Sequence, residues 1–384
     1  MTLDAKALLA TVALAIACSS SGEQPPSAAA GGAGAGAGGS SKGGASGATA
    51  AGAGGVAGAP EADGGESGQS FGGTPAGGSA GDNAAGQNGA EAGAGGAPVV
   101  KENCGADNPA GCYRGMYVSP YTDHIGQLTF AGDDLSYAFI LGDDAKEQKL
   151  LDFAAAHGID SLSLYNLHTI LADEGLTDAL ESFMARARQA GILRIEGIGA
   201  DSAAQWDELH AFHEQRAAFD GFVTEIEFWA PAGDFQVFVD TLEYVRSLTW
   251  APSPTGEQPT LSAYLGWPDA DQVTTMAPLL DRAYLHAYVS TAPQAYGYVA
   301  ERLAMFQDAN EALGTSVEVW PIYSAEDDDW AAGAEFFMGE WLGQNGVAQA
   351  ESEFMSDWAA EAPAGLVLGG HQYYEYFFLD KYVD

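Results

Sequence analysis

The chain has 384 residues, of which 53 are acidic and 14 are basic, so its formal net charge is −39. A surface of this sign repels nucleic-acid phosphates and anionic lipid headgroups, and we therefore expect no nucleic-acid partner. We interpret the acidity as a source of solubility, with the binding of cations as the alternative.

The first residues are typical of an exported protein. Residues 7–17 form an apolar run of 11 residues, which is too short to span a bilayer as a helix and matches a signal-peptide core. The run ends in L-A-I-A-C, which resembles a bacterial lipobox, although Ala15 stands where Leu is usual. We expect residues 1–18 to direct export and a lipid on Cys18 to be the protein's membrane attachment, at the cell surface or in the periplasm. An ordinary signal peptide with an incidental Cys18 is the alternative.

Residues 19–100 are of low complexity and consist mainly of Gly, Ala and Ser. Such a segment cannot bury enough apolar surface to offset the loss of chain entropy, so it predicts a disordered tether. About 80 flexible residues have a root-mean-square span of roughly 50 Å. We interpret its role as reach away from a membrane.

From Lys101 onward the composition is that of a globular protein, and residues 101–384 suit one large α/β domain. Cys104 and Cys112 flank a turn-rich segment at its start. In an exported protein this spacing predicts a disulfide loop, with two free thiols or half of a metal site as alternatives. No further Cys or His lies nearby in the sequence to complete a tetrahedral set of four metal ligands, so we expect no metal.

Short β-rich runs alternate with longer helical runs from residue 113 to the end. Strict alternation predicts a parallel sheet with right-handed crossovers, and eight units in this length predict a closed (β/α)8 TIM barrel. We expect such a barrel to be a monomer. The predicted strands are Tyr113–Ser119, Asp160–Asn166, Leu193–Ala200, Gly221–Trp229, Thr260–Trp267, Ala283–Ser290, Ser316–Ser324 and Gly365–Tyr373.

Helix boundaries are marked by capping residues. Asp144 is the predicted cap of the first helix and Gly158 its stop signal, while Asp234 is predicted to cap a later helix. A third helix is predicted over residues 293–313, before Gly314. The turn after the first strand lacks the glycines that a dinucleotide phosphate needs, which argues against an open dinucleotide-binding sheet and favours the closed barrel. We expect no cofactor.

The segment that follows Phe219 reads D-G-F-V-T-E-I-E-F-W. Side chains alternate along a strand, so Glu225 and Glu227 are predicted to point into the barrel together with Val223, about 6.6 Å apart. Like charges in a confined site raise the pKa of at least one carboxyl, which suits a proton donor. The alternative is that both glutamates pair with cations of the barrel, for which the candidates are Arg114, Arg194 and Arg282.

This segment resembles the fourth strand of family 18 glycoside hydrolases, the chitinase-type barrels, which reads D-G-x-D-x-D-x-E. Asp220 and Gly221 match its opening, and Glu227 falls on the catalytic Glu. Glu225 falls on the Asp that orients the substrate's acetamide. The third strand, R-I-E-G-I-G-A-D-S, also resembles the family's S-x-G-G strand end, and Tyr288 lies near the Tyr of its M-x-Y-D motif. The resemblance implies that Glu227 protonates the glycosidic oxygen.

The departures from the family pattern leave the outcome open. Val223 replaces one Asp of the fourth strand, and Val289 replaces the Asp of the M-x-Y-D motif. Glu225 is one methylene longer than the family's Asp and could instead assist as base or nucleophile. The alternatives are a barrel that binds carbohydrate without catalysis and, last, a metal-dependent phosphodiesterase barrel.

Aromatic and imidazole side chains are predicted at the strand ends, where barrel enzymes hold their sites. Flat rings with a polar edge suit the apolar faces of sugars, so a polysaccharide or oligosaccharide is the expected partner. The alternatives are that single rings fill the core, and that the two histidines bind a metal, act as acid–base groups or satisfy buried polar groups. The predicted substrate-binding residues are Tyr165, Trp229, Trp267, His286, Tyr288, Tyr323, His371 and Tyr373.

Overall fold

The structure, a computed structural model, describes residues 101, 104–105, 107–121, 138–199, 202–216, 218–326 and 336–383. The predicted signal peptide, the lipidation site Cys18 and the tether lie outside these residues. Within the described part of the chain, no helix combines the length and the apolarity needed to cross a membrane.

Nine parallel strand segments form a closed barrel, as the alternation predicted. The last barrel strand is split into two segments around Gly369, β8 and β9; β8 pairs with β7, and β9 closes the barrel by pairing with both β7 and β1. The strands are β1 (Tyr113–Val118), β2 (Ser161–Leu164), β3 (Arg194–Gly199), β4 (Gly221–Thr224), β5 (Thr260–Leu265), β6 (Arg282–His286), β7 (Glu318–Ser324), β8 (Val367–Leu368) and β9 (Gly370–Tyr374).

Helices follow the strands and cover the outside of the barrel. Short 3-10 turns lie at Pro109–Gly111, Ala277–Leu279 and Ala292–Gln294. The described α-helices are α1 (Asp144–His157), α2 (Leu167–Leu171), α3 (Glu174–Gln189), α4 (Ala203–Arg216), α5 (Phe235–Ser247), α6 (Ala270–Met276), α7 (Ala295–Leu313), α8 (Gly339–Asn345), α9 (Val347–Glu361) and α10 (Tyr376–Tyr382).

The predicted caps hold with one correction. Asp143, and not Asp144, caps α1, because its carboxylate accepts hydrogen bonds from the backbone N–H groups of Ala145 and Lys146 at 3.0 and 3.2 Å. Asp144 is already the first helical residue and is fully exposed. Asp234 caps α5 as predicted. Gly158 and Gly314 end α1 and α7 in the left-handed conformation, with φ of 65° and 66°.

Alternation along the strands separates two apolar cores. Side chains on the outer face pack against the helices in a large cluster, while a smaller cluster fills the inside of the barrel. The inner cluster consists of Tyr117, Ile198, Val223, Tyr264, Tyr284, Trp320 and Ile322. The interior of the barrel is therefore a packed core, and barrels of this kind bind their ligands at the mouth, at the carboxyl ends of the strands.

A charged network lies inside the barrel, at the amino-terminal side of the inner cluster. Glu196 is fully buried and accepts hydrogen bonds from Arg194 at 2.7 Å, Arg282 at 2.9 Å and Ser163 at 3.1 Å. Arg282 also pairs with Glu318 at 3.1 Å. Buried charges are tolerated only when they are paired in this way.

Cys104 and Cys112 form a disulfide, with Cα atoms 4.3 Å apart. The bridge encloses the 3-10 turn at Pro109–Gly111 just before β1. It therefore ties the start of the domain to the first barrel strand.

Candidate functional site

Strand β4 is shorter than predicted. It ends at Thr224, so Glu225 and Glu227 lie just beyond it, in a segment that turns away. The backbone N–H of Phe228 donates to the carbonyl of Ile226 at 2.9 Å, and that of Ala230 donates to the carbonyl of Glu227 at 3.1 Å. The prediction that the strand runs to Trp229 was therefore wrong, since these local hydrogen bonds replace those of the sheet.

Glu225 nevertheless faces the barrel mouth. Val223, two residues earlier, belongs to the inner cluster. Burial is the largest cause that raises the pKa of the hydroxyls of Tyr117, Tyr264 and Tyr374, and the charge of Glu225 contributes to each. These three tyrosines extend from β1, β5 and β9, and the rings of Tyr264 and Tyr374 both lie near that of Tyr117, so the carboxyl of Glu225 is close to one cluster of rings.

Both carboxyls have a raised pKa, but their surroundings differ. Glu225 is half-buried, and burial raises its pKa well above the ordinary value, reinforced by the charges of Glu227 and Glu375. Glu227 is exposed, and its pKa is raised by partial desolvation. The pair thus combines an inner carboxyl that favours its protonated form with an outer carboxyl that a ligand can reach.

The cations that could have neutralised this pair are engaged elsewhere. Arg194 and Arg282 bind the glutamates inside the barrel. Arg114 lies on the outer face and pairs with Glu351 of α9. Among the described residues, neither Glu225 nor Glu227 takes part in an ion pair. Pairing with these three arginines is therefore excluded as the role of the two glutamates.

Two further acids reach the mouth, and sequence reasoning missed both. Glu375 follows β9 directly, is buried, and lies 3.4 Å from the hydroxyl of Ser119. Glu326 follows β7 by two residues and accepts a hydrogen bond from Ser324 at 2.6 Å. Their positions immediately after two predicted strands were the signal that could have identified them, because barrel sites are built from such positions.

A wall of rings lines the side of the mouth next to β5 and β6. His286 stacks on Tyr288 with centroids 4.3 Å apart and an angle of 8° between the ring planes. Its centroid lies 4.2 Å from that of Tyr264, 5.6 Å from Trp229 and 5.5 Å from Trp267. Trp267 is 51% exposed, so the wall presents ring surface to solvent.

The absence of a side chain at Gly266 leaves room for the indole of Trp229 in the wall of rings. A Cβ atom at this position would lie 2.5 Å from the indole of Trp229, which is closer than two carbon atoms can approach. Glycine is therefore required for Trp229 to lie against the end of β5.

A second group of rings lies on the opposite side. Tyr165 and Tyr374 are half-buried, and their centroids are 5.3 and 5.7 Å from that of Tyr117. Tyr264 and Tyr288 are joined by a hydrogen bond of 2.9 Å between their hydroxyl groups. The structure thus brings together five of the predicted binding residues, Tyr165, Trp229, Trp267, His286 and Tyr288, with the two glutamates.

Three predicted binding residues do not belong to this site. Tyr323, His371 and Tyr373 are buried in the layer between the barrel and the helices. The hydroxyl of Tyr323 lies 3.0 Å from Nδ1 of His371, and that of Tyr373 donates to the carbonyl of Val347 at 3.2 Å. The reason is strand alternation, since the neighbouring residues Gln372 and Tyr374 occupy the inner face of β9.

The residues that the structure describes contain no cluster of three or more His, Cys, Asp or Glu side chains arranged to hold a metal ion. The site is instead a carboxyl pair beside ring surfaces. Such an arrangement can transfer a proton to a bound sugar or hold it by stacking.

No protein-family model and no curated protein matches the chain. Several solved structures are similar in fold. A xylanase and α-amylase inhibitor protein from Scadoxus multiflorus has 11% identity and a TM-score of 0.42, with 71% of this chain and 95% of that chain covered. A tamarind chitinase-like lectin has 11% identity and a TM-score of 0.38, with 71% and 96% covered. An endo-β-N-acetylglucosaminidase from Cordyceps militaris has 12% identity and a TM-score of 0.36, with 61% and 86% covered. At these values the likeness is one of fold, the parallel barrel that the strand pairing itself establishes.

Proposed function

We propose that the domain is a glycoside hydrolase-like barrel that acts on a polysaccharide outside the cell. The observation that carries the proposal is the pair Glu225 and Glu227. Both carboxyls lie at the end of the fourth barrel strand with raised pKa values, no ion-pair partner among the described residues, and ring surfaces beside them.

Glu227 is proposed as the general acid. Its exposed position lets a glycosidic oxygen approach the carboxyl, and a sugar that covers it removes more water and raises its pKa further. Proton transfer to that oxygen turns a poor leaving group into an alcohol. Glu225 is proposed to assist, because its more buried carboxyl holds a proton close to Glu227 or, once ionised, stabilises positive charge that develops on the sugar ring.

The rings are proposed to position the sugar. Trp229, Trp267 and Tyr288 belong to the ring wall around His286, and the charges of Glu225 and Glu227 act on Tyr288. Aromatic faces match the C–H faces of pyranose rings. Stacking of this type orients a sugar without using the carboxyls, so binding and proton transfer are separable by mutation.

The experiment is hydrolysis of a panel of labelled oligosaccharides, N-acetylglucosamine oligomers included, by the full chain and by Glu227→Gln. Loss of a general acid lowers turnover by about 10²-fold or more. Glu311→Gln, an exposed glutamate on α7, is the matched control and is expected to leave turnover unchanged. Turnover that persists in Glu227→Gln would contradict the assignment.

A non-catalytic carbohydrate-binding barrel is the second candidate. The observation that favours it is Val223, a fully buried apolar residue at the position where the resembling family has a carboxyl. Retained binding of one glycan without turnover on any substrate would support this second candidate.

We also propose that the protein is exported and held on a membrane by a lipid on Cys18, at the end of an apolar segment that resembles a signal peptide and lipobox. Labelling of cells with a radioactive fatty acid is expected to mark the protein and not its Cys18→Ser variant. Equal labelling of both would rule out this attachment.

A further inference from the structure

The mouth concentrates acidic side chains, and three of them have no cationic partner among the described residues. Glu225, Glu227 and Glu375 form no ion pair among the described residues, and Glu326 lies close enough for its charge to act on Glu375. Burial of an unpaired carboxylate is unfavourable, and mutual repulsion adds to this cost. A cation bound at the mouth would relieve both effects.

Repulsion between these acids contributes to their raised pKa values. Burial, reinforced by the charge of Glu326 and opposed by the hydrogen bond from Ser119, raises the pKa of Glu375 to about 7. The charge of Glu375 in turn contributes to the raised pKa of Glu225. These acids therefore act on one another across the mouth.

A second, independent observation points to a ligand at the same place. His286 is 4% exposed, and neither of its ring nitrogens has a hydrogen-bond partner among the residues that the structure describes. It follows Arg282 and Tyr284 at two-residue spacing along β6, and both of these side chains point into the barrel. His286 therefore points inward too, at the level where β6 opens into the mouth.

His286 is suited to bind an N–H or O–H donor. Burial, assisted by the charge of Arg302, lowers its pKa well below the ordinary value, so the neutral imidazole is favoured. A neutral imidazole has one nitrogen that accepts and one that donates a hydrogen bond. Buried polar atoms are rarely left without a partner, so an imidazole at the barrel mouth that has none among the described residues indicates that a ligand supplies one.

The rings beside His286 favour a positive charge. Tyr288 stacks on the imidazole, and the rings of Trp229 and Tyr264 lie beside it at steeper angles. Aromatic faces attract ammonium groups through their quadrupole. The same faces also stack on sugars, so one wall suits a sugar that carries an amine.

We infer that the mouth binds a glycan with free ammonium groups, an amino-sugar polymer whose amines are not acetylated. Ammonium groups stabilise the ionised form of the unpaired carboxyls of Glu225, Glu227 and Glu375 against burial and mutual repulsion, and His286 accepts a hydrogen bond from the amine or hydroxyl groups of the glycan. The inference rests on the proposed function in so far as the ligand is a carbohydrate. Neutral and acetylated glycans leave the carboxyl charge unbalanced, and anionic glycans are repelled by a chain with a net charge of −39.

The test is titration calorimetry of the full chain at pH 7 with glucosamine oligomers and galactosamine oligomers. The same oligomers after complete N-acetylation, which have the same sugar backbone without the charge, are the matched ligands. At low ionic strength at least one amine oligomer is expected to bind about tenfold or more tightly than its acetylated form, as for a charge-assisted hydrogen bond. Raising the salt from about 0.02 to about 0.5 M is expected to reduce this difference.

Glu375→Gln measures the contribution of one carboxyl charge to glycan binding and leaves the proposed general acid, Glu227, unchanged. It is expected to weaken amine-oligomer binding by about threefold to tenfold and to leave acetylated-oligomer binding unchanged. Asp240→Asn, which removes an exposed carboxylate from α5 on the outside of the barrel, is the control and is expected to change neither.

The outcomes separate the two proposals. If acetylated oligomers bind as tightly as amine oligomers, or if Glu375→Gln has no effect, the charge-based inference is overturned while the glycoside hydrolase-like function stands. If amine oligomers do not bind but another glycan is hydrolysed, the inference is likewise overturned alone. If no glycan binds and none is hydrolysed, both proposals fail.

Discussion

At the scale of single residues, this protein places acids where burial and like charge oppose their ionisation. Glu375 is 8% exposed, and the pKa of its carboxyl is raised to about 7. Glu225 shows the same direction, with burial as the main cause. In contrast, Glu196 is fully buried but surrounded by arginines, which hold its pKa below the ordinary value against the effect of burial. Whether a buried acid has cationic partners therefore matters more for its ionisation than how deeply it is buried.

The raised pKa of Glu375 predicts a pH dependence of stability. In the unfolded chain this carboxyl ionises near its ordinary pKa of 4.5, and in the folded protein near 7. Between pH 4.5 and pH 7 this carboxyl binds more protons in the folded state than in the unfolded chain. The stability that Glu375 contributes is therefore fully present below about pH 4.5 and is lost as the pH rises through 7. The loss attributable to this group is on the order of 3 kcal/mol. Glu375→Gln is expected to be more stable than the parent at pH 8 but not at pH 5, measured by urea unfolding.

The control for this prediction is Glu311→Gln, an exposed residue of α7, for which the difference from the parent is expected to be the same at both pH values. A Glu375→Gln variant that is equally destabilised at pH 5 and pH 8 would contradict the prediction.

At the scale of elements, boundaries depend on backbone hydrogen bonds that composition does not reveal. The β-rich run after Asp220 extends to Trp229 in sequence, but the strand ends at Thr224 because the next residues bond locally. The start of α1 shifts by a single residue for a similar reason. Both Asp143 and Asp144 are capping residue types, and only the carboxylate of Asp143 accepts from the free N–H groups of the first turn.

Asp143→Ala is expected to destabilise the protein by about 1 kcal/mol, the usual cost of losing an N-cap. Asp144→Ala is the matched control, because this side chain is exposed and contributes only a surface ion pair with Arg186. Its expected cost is about 0.2–1 kcal/mol, at the lower end since the residue is solvated. Thermal or urea unfolding measures both, and an equal or larger loss in Asp144→Ala would show that the sequence-based assignment of the cap was right.

At the scale of the whole molecule, stability depends on a balance between excess surface charge and a neutralised interior. The arginines inside the barrel are used to satisfy Glu196 and Glu318. The chain as a whole, in contrast, has 39 more acidic than basic side chains. Self-repulsion of this excess opposes the compact state, and dissolved salt screens it.

Salt is therefore expected to stabilise the protein. Raising the sodium chloride concentration from low to moderate should raise Tm, by about 2–4 °C for each kcal/mol by which the free energy of unfolding increases. Scanning calorimetry measures the change in Tm. An uncharged osmolyte at equal osmolality is the control and should produce a smaller change. A Tm that falls with salt would mean that attractive ion pairs outweigh the repulsion.

Much of the architecture was predictable from local patterns. The alternation of β-rich and helical runs predicted the parallel barrel, and the strand ends located its mouth, because these signals arise from residues that are neighbours in sequence. The pair Glu225 and Glu227 was predicted in the same way, although the strand that precedes it ends at Thr224 and does not extend to Trp229.

The composition of the mouth was decided by tertiary structure. Whether Tyr373 or Tyr374 faces a ligand depends on the register of β9 against β1 and β7, and a shift of one residue exchanges the two faces. Closure of the barrel then brings Glu375, at the end of the last strand, next to Glu225 after the fourth. These residues are 150 positions apart in the chain, so no local pattern relates them. Sequence alone thus determined the barrel and its mouth, while the closed sheet determined which side chains meet there.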